Sequence, residues 1–159
     1  MTNELSNYYT ALLQEGKLQE AYRGIISAVA GLRTEFAKEF PDCEIGSVYQ
    51  GYMDMSYFPV TSTFFKERGL KIAVVYLHEK GIFEVWLSGK NRQVTGEMRQ
   101  KLAKADFGGL EVFHDEDNPD AVIECLLTAH PDFDDVKALA NTVLFKTKQF
   151  ITAVKRNFE

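Results

Sequence analysis

Apolar residues recur at steps of three and four in two long parts of the chain, which is the spacing of one helix face. The first part predicts a helix over Leu18–Phe40, which Pro41 ends. The second predicts a final helix whose apolar stripe runs over Val136–Phe158, after an acidic stretch suited to a helix start. A shorter helix is predicted over Glu4–Gln14, and Gly16 interrupts it.

Between the long helices, runs of β-branched and aromatic residues predict strands. The first extended run is Ile45–Phe58, which Pro59 closes, and the last is Ala121–Thr128. A short strand over Leu110–Phe113 is also allowed, after a helix over Asn91–Ala105.

The clearest local pattern is a hairpin of two strands, Leu70–His78 and Ile82–Ser88. A three-residue loop, 79–81, would place Gly81 in the left-handed position that such loops need. This register pairs Tyr76 with Glu84. It also pairs His78 with Ile82, Val74 with Trp86 and Ile72 with Ser88, and it leaves an all-apolar opposite face of Ala73, Val75, Leu77, Phe83, Val85 and Leu87.

The order of elements is therefore α-α-β-β-β-α-(β)-β-α. It predicts an α+β fold with a mostly antiparallel sheet of four to five strands packed against two long helices. No repeat, low-complexity tract or Pro/Gly/Ser linker divides the chain, so residues 1–159 are expected to form a single domain.

Three carboxylates in the middle of predicted strands are the main candidates for chemistry, because Asp and Glu are poor strand residues. Asp54, Glu84 and Glu124 each have apolar neighbours that suit a core face, so the acids should project from the other face. That face would be a mixed acidic and aromatic surface, which suits a ligand site. The candidate ligand-binding residues are Tyr52, Asp54, Tyr76, Glu84, Trp86 and Glu124.

Two other interpretations of these acids stay open. Asp54, Glu84 and Glu124 are candidate ligands for a divalent cation through their oxygens, or a candidate general base. Alternatively, the acids belong to a solvated sheet face of the kind antiparallel sheets commonly have. No cofactor is otherwise expected.

A basic stretch follows the hairpin, and Lys90 and Arg92 are its candidate anion-binding residues. The alternative is a solvated helix face opposite the acidic loop 115–120. The net charge of −5 gives no general reason to expect nucleic-acid binding.

Composition is ordinary for a globular protein, with 45% apolar and 26% charged residues. No apolar run could span a bilayer and no secretory signal is visible, so a cytoplasmic protein with two reduced cysteines, Cys43 and Cys125, is expected. The partner is expected to be a small molecule or a protein, and a homodimer is allowed.

Several stretches resemble an uncharacterised family of bacterial proteins, a domain of unknown function. They are the segments GYMDMSYF at residues 51–58, KIAVVYLHE at residues 71–79 and FEVWLSGKNR at residues 83–92, with LQEAYRGI at 18–25 and DAVIEC at 120–125. The resemblance implies a bacterial cytoplasmic protein and brings no catalytic assignment.

Two functions follow as hypotheses. The first is a binding module that recognises a small molecule or a partner through the mixed sheet face. The second is a divalent-metal-dependent hydrolase, since the element order is similar to the core of restriction-endonuclease-like folds. There the third strand carries an acid-x-lysine, whereas this chain has Trp86 at the lysine position of Glu84-Val85-Trp86. A parallel last strand would favour the hydrolase, and an antiparallel meander would count against it.

Overall fold

The computed structural model describes residues 1–159 and has an α+β architecture with one six-stranded sheet. Every neighbouring pair of strands is antiparallel, so the predicted fold class is confirmed, with one or two more strands than expected. No helix combines the length and apolarity needed to cross a membrane. The elements are α1 (Asn3–Glu15), α2 (Lys17–Glu39), β1 (Glu44–Ile45), β2 (Met55–Thr61), α3 (Thr63–Glu67), β3 (Leu70–Leu77), β4 (Ile82–Gly89), α4 (Arg92–Lys101), β5 (Val112–Phe113), β6 (Ile123–Thr128) and α5 (Val136–Arg156).

The strands lie side by side in the order β1-β2-β3-β4-β6-β5. Both edge strands, β1 and β5, are only two residues long. The four longer strands between them therefore form the main part of the sheet.

The main core lies between one face of this sheet, called here the core face, and the helices α2 and α5. The helical stripes predicted from the sequence supply it: Leu32 and Phe36 come from α2, and Phe150 and Val154 come from α5. The strands contribute alternate residues, among them Phe58, Ile72, Val74, Tyr76, Phe83, Val85, Leu87, Cys125 and Leu127. Val136 is half exposed instead, because it is the first residue of its helix.

The stretch predicted as one strand over Ile45–Phe58 is two strands with a loop between them. β1 ends at Ile45 and β2 begins at Met55. In the loop, Gly51 and Met53 have positive φ angles of 75° and 64°, which an extended strand cannot contain. The prediction failed because the residue types here suit a strand while the backbone turns twice.

β2 also runs through Pro59 to Thr61, whereas the sequence predicts that Pro59 closes it. The carbonyl of Pro59 accepts a hydrogen bond from the N–H of Gly46, just beyond β1. Its ring nitrogen faces the same side, toward the short edge strand, so no hydrogen bond to β3 is lost. Proline is tolerated in a strand in this kind of position.

The β3–β4 hairpin is correct, but its predicted register is wrong by one residue. Leu77 pairs with Ile82 and Tyr76 pairs with Phe83, so the loop is the four residues 78–81. Gly81 has the expected positive φ, 66°, and its N–H bonds to the carbonyl of Leu77. Both faces of β3 are apolar, so alternation along the strand could not select between the two registers.

Candidate functional site

The second face of the sheet, opposite the core face, carries its own small apolar cluster. Val75, Trp86 and Ala121 are buried there, and Met55 and Tyr57 pack around them. No helix contributes a buried residue to this cluster, whereas α2 and α5 both contribute to the main core. No long helix covers this cluster, which leaves room for clefts on the second face.

One cleft of about 280 Å³ crosses β2, β3 and β4 on this face. Trp86, which is 9% exposed, lines it together with Tyr57 and Ala73. We call it the basic cleft, because three of its lining side chains are cationic. It is lined by Met55, Tyr57, Lys71, Ala73, Val75, Trp86, Ser88, Gly89, Lys90, Asn91, Arg92, Thr95 and Asp120.

The basic cleft has a positive balance in a protein whose net charge is −5. Lys71, Lys90 and Arg92 line it, and Asp120 is its one acid. Arg92 Nε lies 3.8 Å from Asp120 Oδ1, and both side chains are more than two-thirds exposed. Such an exposed pair contributes little, so Arg92 can turn to an anionic ligand at small cost.

The start of α4 forms the end wall of the basic cleft because β4 passes into α4 almost without a loop. Asn91 caps the helix by accepting a hydrogen bond from the N–H of Val94. The N–H of Gly89 donates to Oγ1 of Thr95, which draws the strand end against the first turn of the helix. This packing places Lys90 and Arg92, the predicted anion-binding residues, in the lining of the cleft. Their role in binding stays a prediction.

A second depression, called here the acidic cleft, adjoins the first across Trp86 and Met55. Its lining includes Asp54, Glu79, Asp115, Asp117, Asp120 and Glu124, with Lys80 as its cation. The loop 115–120 forms its outer wall. The two clefts together give this face a positive and a negative end.

The loop 115–120 is held to the sheet by side chains rather than by strand pairing. Glu124 is 3% exposed and accepts hydrogen bonds from the N–H of Asp115 and from Nδ2 of Asn118. From α4, the guanidinium of Arg99 donates to the carbonyls of Asn118 and Ala121. Glu124 and Arg99 therefore fix the wall that both clefts share.

Glu84 lies on the same face as Trp86 but beneath the surface. It is fully buried, and its Oε1 accepts a hydrogen bond from Nε1 of Trp86 at 3.1 Å. Its Oε2 has no hydrogen-bond partner. Burial raises the pKa of Glu84, the bond from Trp86 opposes this, and nearby Glu124 adds to the rise. Glu84 lines neither cleft, so it supports the indole from behind.

Two of the other predicted site residues lie outside the strands. Asp54 lies in the loop before β2, and its Oδ1 accepts a hydrogen bond from the N–H of Tyr52. Backbone hydrogen bonds from Tyr52 and Met55 lower the pKa of Asp54. It lines the acidic cleft while holding the turn that contains Gly51 and Met53. Tyr52 is 88% exposed and lines neither cleft.

Tyr76 lies on the core face, among Phe83, Phe133 and His78, and not on the mixed face. The one-residue register error explains the correction, because it moves Tyr76 to the side opposite Glu84. Three of the candidates share the second face: Glu84, Trp86 and Glu124, with Trp86 directly paired to Glu124.

Asp54, Glu84 and Glu124, the candidate ligands of a divalent cation, do not all line one cleft. Only Asp54 and Glu124 line a common cleft, and no group of three or more His, Cys, Asp or Glu side chains is placed to hold a metal ion. β6 runs antiparallel to β4, which counts against the restriction-endonuclease-like core.

A polar cluster that the sequence did not single out connects β2, β3 and α2. Ser56 Oγ is 2.5 Å from the carbonyl of Gln50 and 2.8 Å from Nε2 of His78. The single hydroxyl proton goes to the carbonyl, so Nε2 of His78 must carry a proton and donate it to Ser56. Ser56 is fully buried, which makes it a structural link and not a nucleophile. Tyr22 of α2 stacks on the His78 ring and donates to the same loop carbonyls.

Comparison with known proteins identifies a family but no activity. A family described as a domain of unknown function (DUF7000) matches residues 2–158, which confirms the resemblance to an uncharacterised family. No curated protein and no solved structure shows significant similarity to the chain. Function must therefore be argued from the clefts themselves.

Proposed function

We propose that this chain, which belongs to the DUF7000 family, a domain of unknown function, is a ligand-binding module. Its ligand is a small organic anion that carries a flat ring and binds in the basic cleft. The observation that carries the proposal is that Trp86 lines the same cleft as the three cationic side chains of Lys71, Lys90 and Arg92.

The ring part of the ligand is inferred from the apolar lining. The side chains of Trp86, Tyr57 and Met55 make part of the lining nonpolar, and aromatic rings pack well on an indole face. Because Glu84 holds the indole nitrogen, Trp86 is already oriented before a ligand arrives. A preorganised surface loses less conformational entropy on binding than a mobile one.

The anionic part is inferred from the charges. Lys71, Lys90 and Arg92 are exposed side chains around the cleft. They produce a positive potential there, whereas the net negative charge of the whole protein repels anions. Arg92 also brings a planar donor set that suits carboxylate or phosphate oxygens. Both features favour an anion at the end of the cleft near α4.

The test uses Trp86 fluorescence, since the chain contains one tryptophan. Phenyl phosphate is the probe, and benzyl alcohol is the uncharged comparison. We expect a saturable change with phenyl phosphate and none with benzyl alcohol at the same concentrations. The double variant Lys90→Gln, Arg92→Gln should bind at least tenfold more weakly.

Lys104→Gln is the matched control, because Lys104 is an exposed lysine in the same basic stretch that does not line the basic cleft. It should bind phenyl phosphate as the wild type does. Absence of saturable binding, or equal binding by the double variant, would contradict the proposal.

A further inference from the structure

Helix α1 exposes a stripe of large apolar side chains. Leu5, Tyr8 and Tyr9 are 57%, 63% and 59% exposed, and the half-buried Leu12 continues the stripe at the spacing of one helix face. No residue of α1 is buried. α1 contacts α2, and Nε2 of Gln19 donates to the carbonyl of Leu13, but these contacts leave Leu5, Tyr8 and Tyr9 in solvent.

The composition of the stripe is that of a protein interface. No charged residue occurs between Leu5 and Gln14, although 26% of the chain is charged. Interface centres are depleted in charge and enriched in tyrosine. A helix face that remained in water would be expected to carry more charge.

The accessible surface of the chain is also large for its mass. It is 9717 Å², whereas a compact monomer of 18.1 kDa is expected to expose about 8,100 Å². The excess is about 1,600 Å², and a protein interface of standard size needs about 800 Å² from each partner. Because no residue of α1 is buried, this helix contributes to the excess.

The order of residues in the stripe indicates which partner would fit. The segment from Leu5 to Leu12 reads L-S-N-Y-Y-T-A-L, and its four stripe residues, Leu, Tyr, Tyr and Leu, have the same order and spacing in both directions. If two copies of α1 cross in opposite directions about a point between Tyr8 and Tyr9, Leu5 of each copy meets Leu12 of the other. Tyr8 then meets Tyr9, so the stripe is complementary to itself, as a two-fold interface requires.

We propose that α1 is a dimerisation helix that pairs antiparallel with α1 of a second copy of this chain through Leu5, Tyr8, Tyr9 and Leu12. The proposal does not depend on the basic cleft, which lies on the sheet. It assigns a role to the helix that contributes no buried residue to the core.

The first test is the molar mass in solution, measured by sedimentation velocity and light scattering on the full chain. The wild type should have twice the 18.1 kDa mass of one chain. The variant Tyr8→Arg, Tyr9→Arg should show half the wild-type mass at the same concentration. Arginine is a good helix former, so circular dichroism should report unchanged helix content.

The matched control is Asn7→Arg, Gln14→Arg, which adds the same charge to the opposite face of α1 at 100° per residue. It should remain dimeric. A monomeric wild type, a dimeric stripe variant or a monomeric control would each overturn the proposal.

The second test is the register. Leu5→Glu alone should weaken association at least tenfold, because it places an acid in the apolar contact. Adding Leu12→Lys should recover most of that loss, since only the antiparallel arrangement brings the introduced acid of one copy against the introduced lysine of the other. Failure of the second substitution to recover the dimer would overturn the antiparallel pairing.

Discussion

The indole Nε1–H of Trp86 donates to Oε1 of Glu84, two residues back on the same face of β4, at 3.1 Å. This bond joins the side chain between the two clefts to a carboxyl group that has no contact with solvent. The other oxygen of Glu84 has no partner. β4 therefore contains a buried carboxyl group whose ionised form is stabilised by only one hydrogen bond.

Replacing this acid should change how stability depends on pH. Burial raises the folded-state pKa of Glu84 above its unfolded value of about 4.3. The associated stability is fully present below the unfolded pKa and is lost as the pH rises through the folded pKa. Glu84→Gln cannot ionise and keeps an oxygen for Trp86. Its unfolding free energy should therefore match the wild type at pH 4 and exceed it by on the order of 1 kcal/mol at pH 8.

Urea unfolding at several pH values measures this difference. The control is Glu116→Gln, at an exposed position in the loop next to the clefts. A constant difference between Glu84→Gln and the wild type from pH 4 to 8 would mean that Glu84 is not the titrating group.

Two glycine-to-alanine substitutions should have opposite effects. A Cβ at Gly89 would lie 2.5 Å from the backbone nitrogen of Thr95 and 2.8 Å from its Oγ1, so the end of β4 would have to move away from α4. We expect Gly89→Ala to cost about 1–3 kcal/mol of unfolding free energy.

Gly24 lies inside α2 with no atom within 4 Å of the Cβ position, so Gly24→Ala should raise the unfolding free energy by about 0.5–1 kcal/mol. Urea midpoints of both variants give the comparison. A neutral or stabilising Gly89→Ala would show that β4 and α4 do not pack as tightly as described.

The His78 ring should be neutral with its proton on Nε2. Burial lowers the pKa of His78, and Asp54 opposes this only in part. The ring should therefore titrate below the ordinary value of about 6.5. Stability linked to His78 is retained above the unfolded pKa and falls as the pH drops below it, because the unfolded chain then binds the proton more readily.

Two-dimensional ¹H–¹⁵N spectra of the imidazole distinguish the two tautomers at neutral pH. His114 and His130 are the internal comparison, since neither side chain makes such a bond and both are exposed. A proton on Nδ1 of His78 at neutral pH would contradict the hydrogen bond to Ser56.

The sequence predicted those parts of the second face that depend on alternation inside a regular strand. Glu84 and Glu124 each lie between two core residues, so their direction could be read correctly. Asp54 has a similar neighbourhood, but the left-handed backbone at Gly51 and Met53 removes it from the strand. Residue types alone do not show where a chain turns.

The walls of the clefts could not be predicted, because they depend on contacts between distant parts of the chain. Arg99 reaches the carbonyl of Asn118, 19 residues away, to hold the loop that the two clefts share. Tyr76 was assigned to the wrong face because β3 is apolar on both sides. Only the partner strands decide which side of β3 faces the helices.

The two-residue length of β1 and β5 has a consequence for how copies of the chain can meet. A long free edge would offer a row of unpaired backbone groups to any other strand, which is a common route to aggregation. Here the outermost strands are too short to act as such a template. The fold thus suppresses contact through the backbone and leaves association to side chains, where sequence can determine which partner is accepted.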